Sequence, residues 1–268
     1  TYAQGFHKVT NVDSGNNRIT VYSDHLNETA PSGAVAATVI VIKTRLNYNG
    51  CDGILVRNGN TLGFLDKAAI IGDGTANKSG IVAGLQMNAS SVPVGSGGYI
   101  SCGEYVGVSG FGAFGFAALG GSLVANYCAA SNCLRGIQAH TGAVVLSFYF
   151  TASGNSNIGI WASAGATVYC NYATASGNAS HGFQTSVGAA ISDYGAQANG
   201  NGGAGMVALY SGIVYAEAGT QVNNDTHGLY AYSGGRIYAA SSTQTGNGIA
   251  ATSPAPNTLG NEEGYIDT

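Results

Sequence analysis

Asp193 and Glu217 are the two acids whose placement in the chain comes nearest to suiting carboxylate chemistry. Glycosidic hydrolysis asks for two carboxyl groups facing one groove, about 5–9.5 Å apart, one acting as acid and the other as nucleophile or base. The sequence around them repeats every 23 residues, so the two acids fall in neighbouring repeats and come close in space. Their registers differ by one residue, however. In a period-two pattern that puts Glu217 outside and Asp193 inside or at a bend. No catalytic residue is assigned, and Asp193 with Glu217 stands only as the alternative. Asp52, Asp66, Asp73 and Glu104 lie where the repeat is irregular. They read as solvated loop acids, unless a groove between subunits joins acids from two chains.

Metal and nucleophile chemistry fare no better. His181 and His227 share a column two repeats apart, about 9.6 Å in a stacked sheet, which is too far for one ion, and no third ligand follows the spacing. They read as structural polar residues, and His7, His25 and His140 add nothing specific. Calcium-binding rolls need a periodic Asp that this repeat lacks. No phosphate loop or nucleophile elbow occurs. Neither a metal nor a cofactor is called for.

Composition narrows the classes further. Only 8% of the 268 residues are charged, 43 are Gly and 45% are hydrophobic, unlike a disordered chain. A net charge of −4 offers no basic stripe for nucleic acid or an acidic membrane surface. No apolar run reaches the ~18 residues of a membrane span, and TYAQGFHKVT has no signal-peptide character. A start at Thr1 reads as a fragment or a processed product. Cys51, Cys102, Cys128, Cys133 and Cys170 are odd in number and lack CxxC spacing, which reads as buried free thiols.

What positions any site is the repeat itself. Gly136, Gly159, Gly182, Gly205 and Gly228 are 23 apart, each followed by a large apolar residue: Ile137, Ile160, Phe183, Met206, Leu229. Val145, Val168, Ile191, Val214 and Ile237 form a second column, and Asn132, Asn155, Asn178, Asn201, Asn224 and Asn247 a third. Between columns the pattern alternates, as in GIWASAGATVY, which is strand periodicity. The solution is an all-β, single-stranded parallel β-helix with about three short strands per coil, coils stacking at roughly 4.8 Å. The apolar columns run inside, and the Asn column is expected at a tight bend in αL geometry, its amides laddered.

Residues 46–250 make up the helix. Gly53-Ile54, Gly80-Ile81 and Gly115-Phe116 repeat its start signal at looser spacing, with an insertion around residues 90–98. Residues 1–45 read as a cap, with a hairpin in VTNVDSGNNRITV and a buried strand in AVAATVIVIKT. Residues 251–268, with two prolines, are expected to leave the stack and cover the last coil.

Alternation also assigns the outside. Gln138, Trp161, Gln184, Val207 and Tyr230 face outward on one strand, and Leu146, Tyr169, Ser192, Tyr215 and Tyr238 on another, flanked by Val144 and Ile213. An outer face so apolar marks a contact surface. For Tyr169, Tyr215, Tyr238, Ile213 and Val144 that is a subunit interface, with a glycan platform as the alternative. Trp161 and Tyr230 read as carbohydrate contacts, since aromatic rings stack on sugars.

The stretches IVIKTRLNYNGCDGILV and AAIIGDGTANKSGI, leading into coils that end TASGNS, TASGNA and TQTGNG, resemble bacteriophage tail fibres and tailspikes over residues 38–250. The resemblance is one of repeat style. It implies a right-handed β-helix, a homotrimer, and contact with a bacterial surface polysaccharide or lipopolysaccharide. It also implies a place in the virion tail after assembly in the reducing host cytoplasm, which suits free thiols. The function expected is receptor binding by a structural protein. The alternatives are a glycan depolymerase, hydrolase or lyase, on the same fold, and a secreted bacterial adhesin.

Overall fold

The computed structural model describes residues 8–13, 18–22, 44–56, 60–65, 67–84, 98–253 and 264–267. Every regular element among them is a β-strand. Short strands, one per side per coil, stack into three parallel sheets that close a right-handed, three-sided solenoid. The first face is a 9-stranded sheet running from Ile54–Val56 through Ile160–Ala162 to Ala250–Ser253. The second is also 9-stranded, from Thr61–Leu65 through Thr167–Tyr169 to Tyr265–Asp267. The third runs from Thr44–Asn47 to Thr174–Ser176, and bridges at Gln197 carry it to Thr220–Val222 and Thr243–Thr245.

The apolar columns form the core. Ile137, Ile160, Phe183, Met206 and Leu229 pair in register up the first face and are all fully buried. Val145, Val168, Ile191, Val214 and Ile237 do the same on the second. Burying each such side chain contributes about 1.5–3 kcal/mol relative to exposure. The irregular early coils obey the same register, Ile54 pairing with Ile81, Ile81 with Phe116 and Phe116 with Ile137. Inside the third face the column is small in the middle coils: Ala130, Ala152, Ala175 and Ala198.

That small column explains the glycines. A Cβ on Gly136, Gly159, Gly182 or Gly205 would sit 2.6–2.8 Å from the carbonyl oxygen of the next glycine in the column. It would also sit 2.7–3.0 Å from the Cβ of Ala152, Ala175, Ala198 or Gln221. The corner joining the third face to the first closes only without a side chain.

The Asn ladder forms, with two corrections. Asn178 Nδ2 donates to Asn201 Oδ1 at 3.1 Å, and Asn201 Nδ2 to Asn224 Oδ1 at 2.9 Å, while each Oδ1 also accepts the backbone N–H of the Asn before it. The left-handed turn belongs to the preceding residue: Gly154, Gly177, Gly200 and Gly246 have φ of 64–66°, and Asn223 56°. Asn132, with φ 53°, sits in that turn column and not in the ladder. The link from Ser131 to Ile137 is one residue shorter than that from Ser153 to Ile160. Cys133 therefore takes the ladder position, its N–H donating to Asn155 Oδ1 at 3.1 Å.

At the ends, Lys8–Asp13 and Arg18–Tyr22 form an antiparallel hairpin whose turn lies outside the described residues. So do AVAATVIVIKT apart from Thr44, and residues 90–97. Residues 264–267 do not leave the stack: Tyr265–Asp267 pairs with Arg236–Tyr238 as the last strand of the second face. An open parallel edge offers unpaired N–H and C=O groups, and strand addition satisfies them. Four cysteines are buried free thiols, but Cys51 is exposed.

Candidate functional site

Among the described residues the acids do not assemble a catalytic groove. Asp193 points into the solenoid and is 3% exposed, whereas Glu217 is exposed and stands opposite Tyr194 in register, on the other side of the same sheet. Neither Asp193 oxygen has a hydrogen-bond partner. Burial pushes its carboxyl up to about 8. Asp52 accepts the Ser79 N–H at 2.8 Å. Asp73 accepts those of Gly50 and Thr75, and Thr75 above all holds its carboxyl below the usual range. Glu104 is exposed, and Asp66 lies outside the described residues.

On the outside of the first face, Trp161 is half-buried and already engaged. The Arg135 guanidinium lies 4.1 Å from its ring centre, His140 meets it edge-on at 6.5 Å, and its Nε1 donates to Ser186 Oγ at 3.3 Å. Tyr230, also half-buried, stacks between His227 at 5.2 Å and Tyr232 at 6.2 Å. Trp161 and Tyr230 thus belong to two separate clusters three coils apart.

The second face carries the tyrosines expected at an interface. Val144, Tyr169 and Tyr215 are exposed, Ile213 and Tyr238 are half-buried, and Tyr215 stacks on Tyr238 at 5.2 Å.

A further aromatic array runs along the corner between the second and third faces. Tyr105, Tyr127, Tyr149 and Tyr172 follow one another up successive coils. Tyr127 and Tyr149 stack at 4.9 Å with 7° between planes, and Tyr149 and Tyr172 at 5.0 Å with 12°. All three are between 41% and 47% exposed, and none of their hydroxyls has a partner among the described residues. Each of the four has a left-handed backbone, φ 54–64°. For a bulky side chain that costs of order 1–3 kcal/mol. The same corner is made by Gly195, Ala218 and Ser241 in later coils, so tyrosine is not what the turn requires.

No family model matches the chain, and no curated protein matches it. Among solved structures it is similar to the A-module of the mannuronan C-5 epimerase AlgE6 from Azotobacter vinelandii. Identity is 13%, covering 79% of this chain and 81% of that one, with a TM-score of 0.31. Similarity of that extent says nothing about chemistry.

The corner tyrosines had a signal in the sequence. They open the stretches YVGVS, YCAAS, YFTAS and YATAS, a tyrosine three residues before Val-Ser or Ala-Ser. Their spacing of 22 or 23 hides them from a comparison held strictly to 23. The histidines serve structure: His181 Nδ1 accepts the Ala204 N–H at 2.9 Å, and His227 supports Tyr230. Among the described residues no three His, Cys, Asp or Glu side chains converge on a metal-sized site.

Proposed function

We propose that this chain is a receptor-binding solenoid that lies along a bacterial surface polysaccharide, as part of a phage tail fibre or tailspike. Its work on this reading is recognition. The observation that carries it is the exposed tyrosine stack at Tyr127, Tyr149 and Tyr172, kept in a strained backbone that Gly, Ala and Ser occupy elsewhere in the same column. Folding alone would favour glycine there. The array offers apolar ring edges and a row of free hydroxyls at one-coil intervals. Tyrosine suits a ligand with both apolar and hydroxylated surface. An extended chain of pyranose rings is such a ligand, and it advances by a comparable step.

In the same reading the outer second face, with Val144, Tyr169, Ile213, Tyr215 and Tyr238, joins three copies into a homotrimer. Assembly takes place in the host cytoplasm and use outside the cell. The test replaces Tyr127, Tyr149 and Tyr172 together by Gly, which relieves the backbone strain while removing the rings. The variant should fold, and its adsorption to host capsule or lipopolysaccharide should fall at least tenfold. Unchanged adsorption overturns the assignment. The native protein, incubated with the same polysaccharide, should release no new reducing ends or unsaturated sugars; turnover would replace recognition with depolymerase activity.

A further inference from the structure

Arg135 is a cation without a counter-ion among the described residues. Its guanidinium lies between Phe114 at 5.8 Å and Trp161 at 4.1 Å, residues of the coils on either side, and Nη1 donates to Gln138 Oε1 at 2.7 Å. Nε is buried with no partner, and no carboxylate pairs with the side chain among the described residues. Around it on the outer first face stand Gln138, Trp161 and Gln184 in one column, with His140 at the rim. Burial pulls both the Arg135 guanidinium and the His140 imidazole below their ordinary values.

A partly desolvated charge with only neutral neighbours is an electrostatic cost to the unliganded protein. Aromatic faces offset part of that cost, and they also fix the plane of the fork. Of the five guanidinium N–H groups, one meets Gln138 and the Nε proton is covered. The other three, on the two Nη atoms, have no partner among the described residues, and one from each Nη matches two oxygens of a planar carboxylate. Gln138 is buried and holds the guanidinium, while the half-buried Gln184 in the same column adds an amide suited to the hydroxyls beside such a carboxylate.

We propose that Arg135, positioned by the buried Gln138, forms with His140 and Trp161 a subsite for an anionic sugar, a uronate carboxylate held end-on by the guanidinium. The first face lies across the three-sided coil from the tyrosine corner, so this is a second site and not part of that array. It rests on the polysaccharide reading for the sugar, but the demand for negative charge comes from Arg135 alone. A phosphate substituent presents the same oxyanion chemistry from another source.

Calorimetry on the intact chain separates these cases. The probes are oligogalacturonate, the same oligomer as its methyl ester, and a phosphorylated oligomannose. The acid should bind at least tenfold more tightly than the neutral ester, a comparison that needs no variant. Arg135→Gln should lose the same factor, and Arg135→Lys should keep part of it. Tighter binding of the phosphorylated probe, still lost in Arg135→Gln, supports the oxyanion site and reassigns its source. Equal binding of acid and ester, or no binding of either anion, overturns the proposal and leaves Arg135 a clamp between coils. If cell adsorption still depends on the corner tyrosines in that event, the polysaccharide reading survives and only this subsite falls.

Discussion

Asp193 is an acid placed where a charge has nothing to meet. Its neighbour in the interior column is the Cys170 thiol, itself pushed up by burial and by Asp193, and its own carboxyl is raised to about 8. Unfolded, the acid releases its proton near pH 4. Folded, it keeps it until about pH 8. Between these values unfolding releases a proton, so stability falls as pH rises, by up to about 1.4 kcal/mol per pH unit. Above about 8 both states are ionised and the loss stops. Asp193→Asn should flatten this slope and be the more stable protein at pH 8. Chemical denaturation of both proteins from pH 4.5 to 9 reads the difference; parallel curves would mean that Asp193 is ionised in the fold. The inward position of Asp193 follows from alternation and was legible in the sequence. Its lack of partners was not, because a period assigns a side and says nothing of donors nearby.

At the scale of the element, the corner between the third and first faces is built from two columns acting together. Glycine lets the chain pass against the next coil, and Asn returns hydrogen bonds to the backbone that this turn exposes. Asn178 is 1% exposed: its Oδ1 accepts two bonds from Asn155, and its Nδ2 donates to Asn201 Oδ1 and Ala152 O. Replacing it by Leu strands buried donors and acceptors in the two flanking coils, at about 1–3 kcal/mol for each group left unmet. Asn247, half-buried at the end of the ladder, accepts from Asn224 and donates to Gln221 O. Water can replace part of that. Asn178→Leu should therefore lose about 3 kcal/mol or more in urea unfolding, and Asn247→Leu about 1–2 kcal/mol; equal losses would mean that the ladder is solvated throughout. The columns themselves could be read from the sequence because stacking makes each side chain meet its own counterpart. The misplacement of Asn132 and the missed corner tyrosines share one cause. A turn shortened by a single residue shifts register locally, and a fixed repeat length cannot see it.

For the whole molecule, the question is what covers the second face. Tyr99, Val144, Tyr169 and Tyr215 are all between 40% and 47% exposed there, on strands that stack into one continuous surface. Large apolar surface in water favours association at about 25 cal/mol per Å², and a rigid face repeated on identical chains favours closed symmetry. Replacing Tyr169, Tyr215 and Tyr238 by Ser removes several kcal/mol of such burial per chain and leaves every inward column untouched. In the proposed homotrimer the substitution acts at all three interfaces. Light scattering should then show a trimer for the native chain and a monomer for the variant, with circular dichroism unchanged. Cell adsorption should drop as well, because three tyrosine corners carried on one particle bind together more tightly than each alone. A trimer that persists while adsorption is lost would move these tyrosines from the interface to the glycan. A trimer that persists with normal adsorption would remove both roles, and a native chain that is already monomeric would leave the second face without the partner assigned to it.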